Sequence, residues 1–210
     1  MKIQLLSCAL AVILVSTWAA ASDIEKVRNE KVVVIEQTLA PGERRALPAE
    51  HASELVYLDG GSVEFSPAQG KSQMLNVERG EAVFQSRQAG TMKNAGSSAL
   101  RIVRVEYLGQ GNSETWGSSG LSPNYKLLSE NQYGRVYDIK IKAGTSEPLH
   151  THHDRIVICL SGAQLRHEMP DGRTEVSTLK TGEIVWRRGG THVGHNIGTT
   201  DLWVIAIEPK

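Results

Sequence analysis

His150 and His152 are separated by one residue. In a β-strand alternate side chains leave the same face, so both imidazoles project together. Two ring nitrogens on one face make a two-point clamp, and His192, far along the sequence, supplies a candidate third. A neutral imidazole gives one nitrogen to a metal while its other nitrogen needs an acceptor nearby. Such a set suits a divalent transition metal (iron, manganese, zinc, nickel or copper) rather than calcium, which prefers oxygen. His153 faces away from His152 on a regular strand and is expected either at the surface or behind the metal-binding imidazoles as a supporting contact. Asp154 returns to the face of His152, as a ligand or water-positioning base if it points inward and an ordinary surface carboxylate otherwise. His195 either lines the mouth of the site or is solvated. Trp186 reads as core, whereas Arg187 and Arg188 are solvated unless an anionic substrate draws them in. Cys159, inside the apolar string Ile156 to Leu160, reads as a small buried hydrophobe rather than a catalytic thiol.

The elements that must position these residues occur twice. Gly42 and Gly144, Gly60 and Gly162, Gly80 and Gly182, and Asn94 and Asn196 are all related by 102 residues (144 − 42). Their surroundings agree, as in Gly80-Glu81-Ala82-Val83-Phe84 and Gly182-Glu183-Ile184-Val185-Trp186. A constant offset without gaps marks an internal duplication. Each copy is a series of short apolar or alternating segments bounded by turn residues, among them Met169-Pro170-Asp171-Gly172 as a hairpin turn. Such spacing predicts an all-β sandwich or barrel. Apolar residues at helical spacing are confined to a short lead-in, Ile24 to Val27, and a helical turn is expected near Tyr125 to Glu130. The connecting segment is rich in Gly, Ser and Asn, and its Trp116, Leu121 and Tyr125 are expected to pin it to a domain surface.

Residues 1–21 carry the pattern of a secretory signal peptide: Lys2, an apolar run from Ile3 to Val15, then Ala19-Ala20-Ala21 before a polar stretch. The run is short for a membrane span, which takes about 20 apolar residues. The expectation is a periplasmic or secreted protein with no membrane segment after cleavage. Cys8 leaves with the leader, so Cys159 stands alone and no internal disulfide is available. With 23 basic and 23 acidic residues the net charge is zero, which offers no basic face for nucleic acid.

These features resemble the cupin superfamily, and specifically a bicupin of two tandem jelly-roll β-barrels. The family's first motif resembles Gly-x5-His-x-His-x3–4-Glu-x6-Gly, and Gly144-Thr145-Ser146-Glu147-Pro148-Leu149-His150-Thr151-His152 matches its first part. The second motif resembles Gly-x5-Pro-x-Gly-x2-His-x3-Asn, of which His192-Val193-Gly194-His195-Asn196 keeps the end. The resemblance implies a metal on His150, His152 and His192. It also implies a division into a degenerate domain (22–108), a linker (109–130) and a metal-binding domain (131–210). Two departures stand out. The family glutamate falls at 156 or 157, where this chain has Ile156 and Val157, so a three-histidine site with open positions is expected. In the first copy the histidine positions hold Pro48, Glu50 and the Gly90-Thr91 pair, although Glu54 keeps the glutamate position. There Glu50 and Glu54 are expected to face inward, His51 outward, and the domain to act as scaffold or dimerisation surface. The function implied is a metal-dependent oxygenase or related small-molecule enzyme; the alternative is a non-catalytic ligand- or metal-binding protein. A monomer and a homodimer both fit the sequence.

Overall fold

The computed structural model describes residues 22–116 and 121–210, so the leader reading at 1–21 lies outside the described residues. Every regular element described is a strand. The first nine are β1 (Ser22–Arg28), β2 (Val32–Leu39), β3 (Arg44–Leu47), β4 (Ala52–Tyr57), β5 (Gly61–Pro67), β6 (Gln73–Val77), β7 (Ala82–Gln85), β8 (Gly90–Asn94) and β9 (Leu100–Tyr107). The second nine repeat the plan: β10 (Tyr125–Glu130), β11 (Gly134–Ile141), β12 (His150–His152), β13 (Arg155–Ser161), β14 (Ala163–Glu168), β15 (Thr174–Leu179), β16 (Ile184–Arg187), β17 (Gly190–Asn196) and β18 (Leu202–Pro209). One five-stranded sheet runs β1-β2-β9-β4-β7 and its counterpart β10-β11-β18-β13-β16. The four-stranded partners run β3-β8-β5-β6 and β12-β17-β14-β15. Each half is therefore a double-sheet jelly roll rather than a closed hydrogen-bonded ring. The fold is all-β, built as tandem jelly rolls.

The repeated residues do the same work in both halves. Gly42 and Gly144 have φ of 78° and 71°, and Gly80 and Gly182 both have 84°; side chains with a Cβ rarely take these left-handed turns. Asn94 Nδ2 donates to the carbonyls of Leu39 and Ser98, and Asn196 Nδ2 donates to those of Ile141 and Thr200. Each Asn Oδ1 also accepts a backbone N–H two residues on, from Gly96 and Gly198. The hairpin turn at Met169 to Gly172 forms as expected, closed by the Gly172 N–H on the Met169 carbonyl at 3.0 Å.

Two helical expectations fail. Ile24 to Val27 lies in β1, and Tyr125 to Glu130 is β10, which pairs with β11 ahead of the 131 boundary. Both are edge strands whose register shifts between Glu25 and Val27, and between Leu127 and Ser129. A bulge inserts one extra residue and breaks the two-residue alternation, so Ile24 and Val27 acquire a spacing of three that mimics a helix.

The two five-stranded sheets pack back to back. Val56, Val103 and Val105 of the first meet Ile156, Ile158, Ile205 and Ile207 of the second in one apolar layer. The opposite faces point into the two barrel interiors, with Leu55, Tyr57 and Ile102 in one and Val157, Cys159 and Val204 in the other. Burial on both faces explains the unbroken apolar runs of these strands. The connecting segment is anchored as expected: Trp116 stacks on His153 at 3.9 Å, beneath the Arg135 guanidinium, and Leu121 and Tyr125 pack on the second interior.

Candidate metal centre

β12 is three residues long and pairs antiparallel with β17, which sets His150 directly opposite His192 and His152 opposite Gly190. The register brings three imidazoles together from two remote segments. Ring centroids lie 4.8 Å apart for His150 and His192, 5.0 Å for His152 and His192, and 6.0 Å for His150 and His152. All three side chains are buried, with 2%, 6% and 8% exposure for His150, His152 and His192.

Hydrogen bonds fix the tautomer of the first two. His150 Nδ1 lies 2.9 Å from the Pro148 carbonyl and His152 Nδ1 lies 3.0 Å from the His153 carbonyl. A carbonyl only accepts, so each Nδ1 carries the proton and each Nε2 keeps its lone pair. Burial, with the Arg155 cation next in order, pushes His152 down to about 2. Burial, then the neighbouring His167 and His150 rings and the Arg155 cation, pushes His192 down to about 3. Both rings are neutral at physiological pH, the form a metal needs. The loop after β12 is braced from behind: Glu208 Oε1 accepts the His153 N–H at 3.0 Å, and Glu208 Oε2 accepts from the Nε of buried Arg135, also at 3.0 Å.

Whether the residues suit an ion is tested by two atoms. His152 Nε2 is buried and has no hydrogen-bond partner, which is costly unless a bound ion or ligand takes up the lone pair. His150 Nε2 instead lies 3.3 Å from the Tyr125 hydroxyl, which accepts a hydrogen bond from Arg155 Nη1 at 2.6 Å and so points its own hydrogen at the imidazole. Among the described residues no group of three or more His, Cys, Asp or Glu donors is drawn in to metal-binding spacing. The Tyr125 contact gives a physical reason, since it engages one of the three lone pairs. The donor chemistry fits a transition metal once His150 turns from Tyr125 to the ion.

Two residues of the site were missed in the sequence. His167 on β14 lies 4.6 Å from His192, ring to ring. The signal was there, because Leu165 points inward and His167 follows it by two positions. Glu147 is 5% exposed and lines the same cavity, with Oε1 buried and unpartnered. Gly194 makes room for it, since a Cβ there would stand 2.7 Å from Glu147 Oε2. Burial raises the Glu147 carboxyl above its ordinary value. No strand periodicity announces Glu147, which precedes β12 and is held by a backbone bond to Gly194.

Other candidates fall elsewhere. Asp154 sits in the bend between β12 and β13, where its Oδ1 accepts the Gly189 N–H at 2.6 Å, and it lines a different surface cleft. The break between the strands ends the alternation that would have aimed it inward. His195 projects from the other face of β17 and bonds Ser146 Oγ at 2.6 Å. His153 is exposed beneath Trp116, and Trp186 packs on the layer between the halves. Cys159 is buried, its thiol pushed up to about 11 by desolvation. Of the two glutamate positions, Val157 faces the cavity and Ile156 the layer between the sheets. Glu54 matches Ile156, between Ala52 and Val56 of that layer, and so does not face inward as expected. The first half's own cavity, about 330 Å³, is lined by residues such as Leu55, Phe65 and Met92 and by no histidine or carboxylate.

No family model and no curated protein matches the sequence. Solved structures do. A cupin 2 conserved barrel domain protein from Leptotrichia buccalis superposes with a TM-score of 0.61 at 13% identity, covering 94% of this chain and 92% of its own. The fold is that of the cupin barrel. AerE from Microcystis aeruginosa gives 0.58 at 13% identity, over 90% of this chain and 97% of its own. The S161A mutant of Bacillus subtilis oxalate decarboxylase gives 0.60 at 15% identity, over 90% of this chain and 72% of its own. At such identities the likeness speaks for architecture, and a cupin barrel hosts unrelated activities.

Proposed function

We propose that the protein is an exported bicupin whose second domain, 131–210, holds a divalent transition metal on His150, His152 and His192 and takes a small-molecule ligand beside it. The observation that carries this reading is the pair of imidazoles locked by backbone carbonyls, with His152 Nε2 buried and unpartnered in a cavity. One solved structure of similar fold concerns the Mn(II) centers of Bacillus subtilis oxalate decarboxylase, which supports the class of metal. When bound, the metal supplies Lewis acidity or redox chemistry. The chain's own residues contribute the rest: Glu147 and His167 border the cavity and hold or move protons, and the apolar barrel wall limits water. We favour a metal-dependent enzyme of the oxygenase class or a related small-molecule enzyme over a non-catalytic binding protein, because those two titratable groups sit within the cavity. The first domain, whose cavity is lined by no histidine or carboxylate, serves as scaffold. Export rests on the leader pattern of residues 1–21.

Metal analysis of wild type, His192→Ala and His153→Ala tests the site. Wild type and His153→Ala are expected to hold close to one equivalent, and His192→Ala to lose most of it while staying folded. Equal metal in all three would overturn the reading.

A further inference from the structure

We propose that the cavity of the second half binds a short aliphatic carboxylate, its carboxylate on Arg155 and its alkyl chain along the barrel interior. This rests on the cavity assigned above but not on the metal. The space is about 370 Å³, toward the lower end of small-molecule sites. Its floor is aliphatic, formed by Ile139, Ile141, Val157, Leu179, Leu202 and Val204. Its mouth is cationic. Arg155 and Arg187 are directly opposite on β13 and β16, and both line the cavity with Arg188. Like charges directly opposite on paired strands destabilise a sheet, and an anion between them removes that cost.

The guanidinium of Arg155 is not satisfied from within the protein. Nη1 donates to Tyr125, whereas Nε is buried without a partner. Among the described residues no carboxylate pairs with Arg155, Arg187 or Arg188. Glu147 and Glu175 are the acidic residues of the lining, and neither forms an ion pair. A planar guanidinium with free donors matches a carboxylate in two-point geometry. The aliphatic floor then selects a molecule with an apolar body rather than a compact, fully polar anion.

Calorimetric titration with butyrate, hexanoate, octanoate and hexanol tests the assignment, with metal content measured on the same samples. Each added methylene is expected to tighten binding about fourfold. Hexanoate is expected to bind at least about tenfold more tightly than hexanol, the scale of one charge-assisted hydrogen bond. Arg155→Gln should abolish the preference for acid over alcohol while leaving the β circular-dichroism spectrum unchanged, and Arg155→Lys should keep part of it. A flat chain-length series, or equal binding of hexanol and hexanoate, overturns the proposal. His192→Ala separates this site from the metal reading. Loss of metal with hexanoate binding kept supports the arginine site. Hexanoate binding lost in His192→Ala but kept in Arg155→Gln puts the carboxylate on the metal and overturns the proposal. Arg155-dependent binding in a wild type without metal supports the proposal and removes the metal reading alone.

Discussion

The Tyr125 hydroxyl stands 3.3 Å from His150 Nε2 and accepts from Arg155 at 2.6 Å, so its proton is directed at the nitrogen a metal would use. The neighbouring His152 has no such competitor. A neutral hydrogen bond contributes about 0.5–1.5 kcal/mol net, so Tyr125→Phe is expected to tighten metal binding about threefold to tenfold. Competition against a chelator of known affinity measures it. Weaker binding in the variant would mean that Tyr125 holds His150 in its metal-ready position instead of competing for it. The two imidazoles also differ in what stands behind them. The His152 proton goes to the carbonyl of His153, whose N–H is in turn held by Glu208, itself paired with buried Arg135. Neither Arg135 nor Glu208 touches the cavity, yet together they fix where His152 points, as acceptors behind a metal-binding imidazole do. Stacking of Trp116 on His153 covers the outer side of the same loop.

At the level of strands, the two jelly rolls are clasped by the same asparagine. Asn196 ties the end of β11 to the turn before β18, and Asn94 ties the end of β2 to the turn before β9. Truncation leaves two buried carbonyls and one N–H short of partners, at about 1–3 kcal/mol for each group left unsatisfied. Asn196→Ala and Asn94→Ala are each expected to cost about 3 kcal/mol, a fall in Tm of about 6–12 °C by scanning calorimetry. Loss in one variant alone would mean that the repeated residue is not a repeated function. This asparagine was legible in the sequence through the constant offset, as were the long apolar strands between turn glycines. β3, β6 and β8 were not, being four or five residues long; β6 buries only Val77 and so shows no apolar alternation. The histidine triad was legible because a strand's two-residue period and the family resemblance point to the same residues. Within the site, His167 was readable from Leu165, but Glu147 sits outside a named strand and owes its inward aim to the space over Gly194.

Across the whole molecule, the layer between the five-stranded sheets joins the halves, and it holds one residue that does not belong in an apolar contact. Glu54 lies between Ala52 and Val56 of that layer, fully buried, with neither carboxyl oxygen hydrogen-bonded. The Tyr107 hydroxyl in the same layer is also unpartnered. The sequence could not show this orientation, because a strand buried on both faces has no polar side to set the register against. Desolvation pushes the Glu54 carboxyl up to about 8 from an ordinary 4.5. Below pH 4.5 the group is protonated in both folded and unfolded chains and costs nothing in ionisation. As pH rises toward 8 the unfolded chain ionises freely while the folded one resists, so stability is lost across that window, by on the order of 5 kcal/mol. Above pH 8 both forms are charged and the loss stops growing. Glu54→Gln keeps the shape without the titration. Denaturant unfolding of both proteins at several pH values is therefore expected to show the variant gaining on wild type from pH 5 to pH 8, with the difference level beyond. A difference that stays constant with pH would mean that Glu54 is hydrated or paired in solution, and that the two sheets do not close over it as a dry layer.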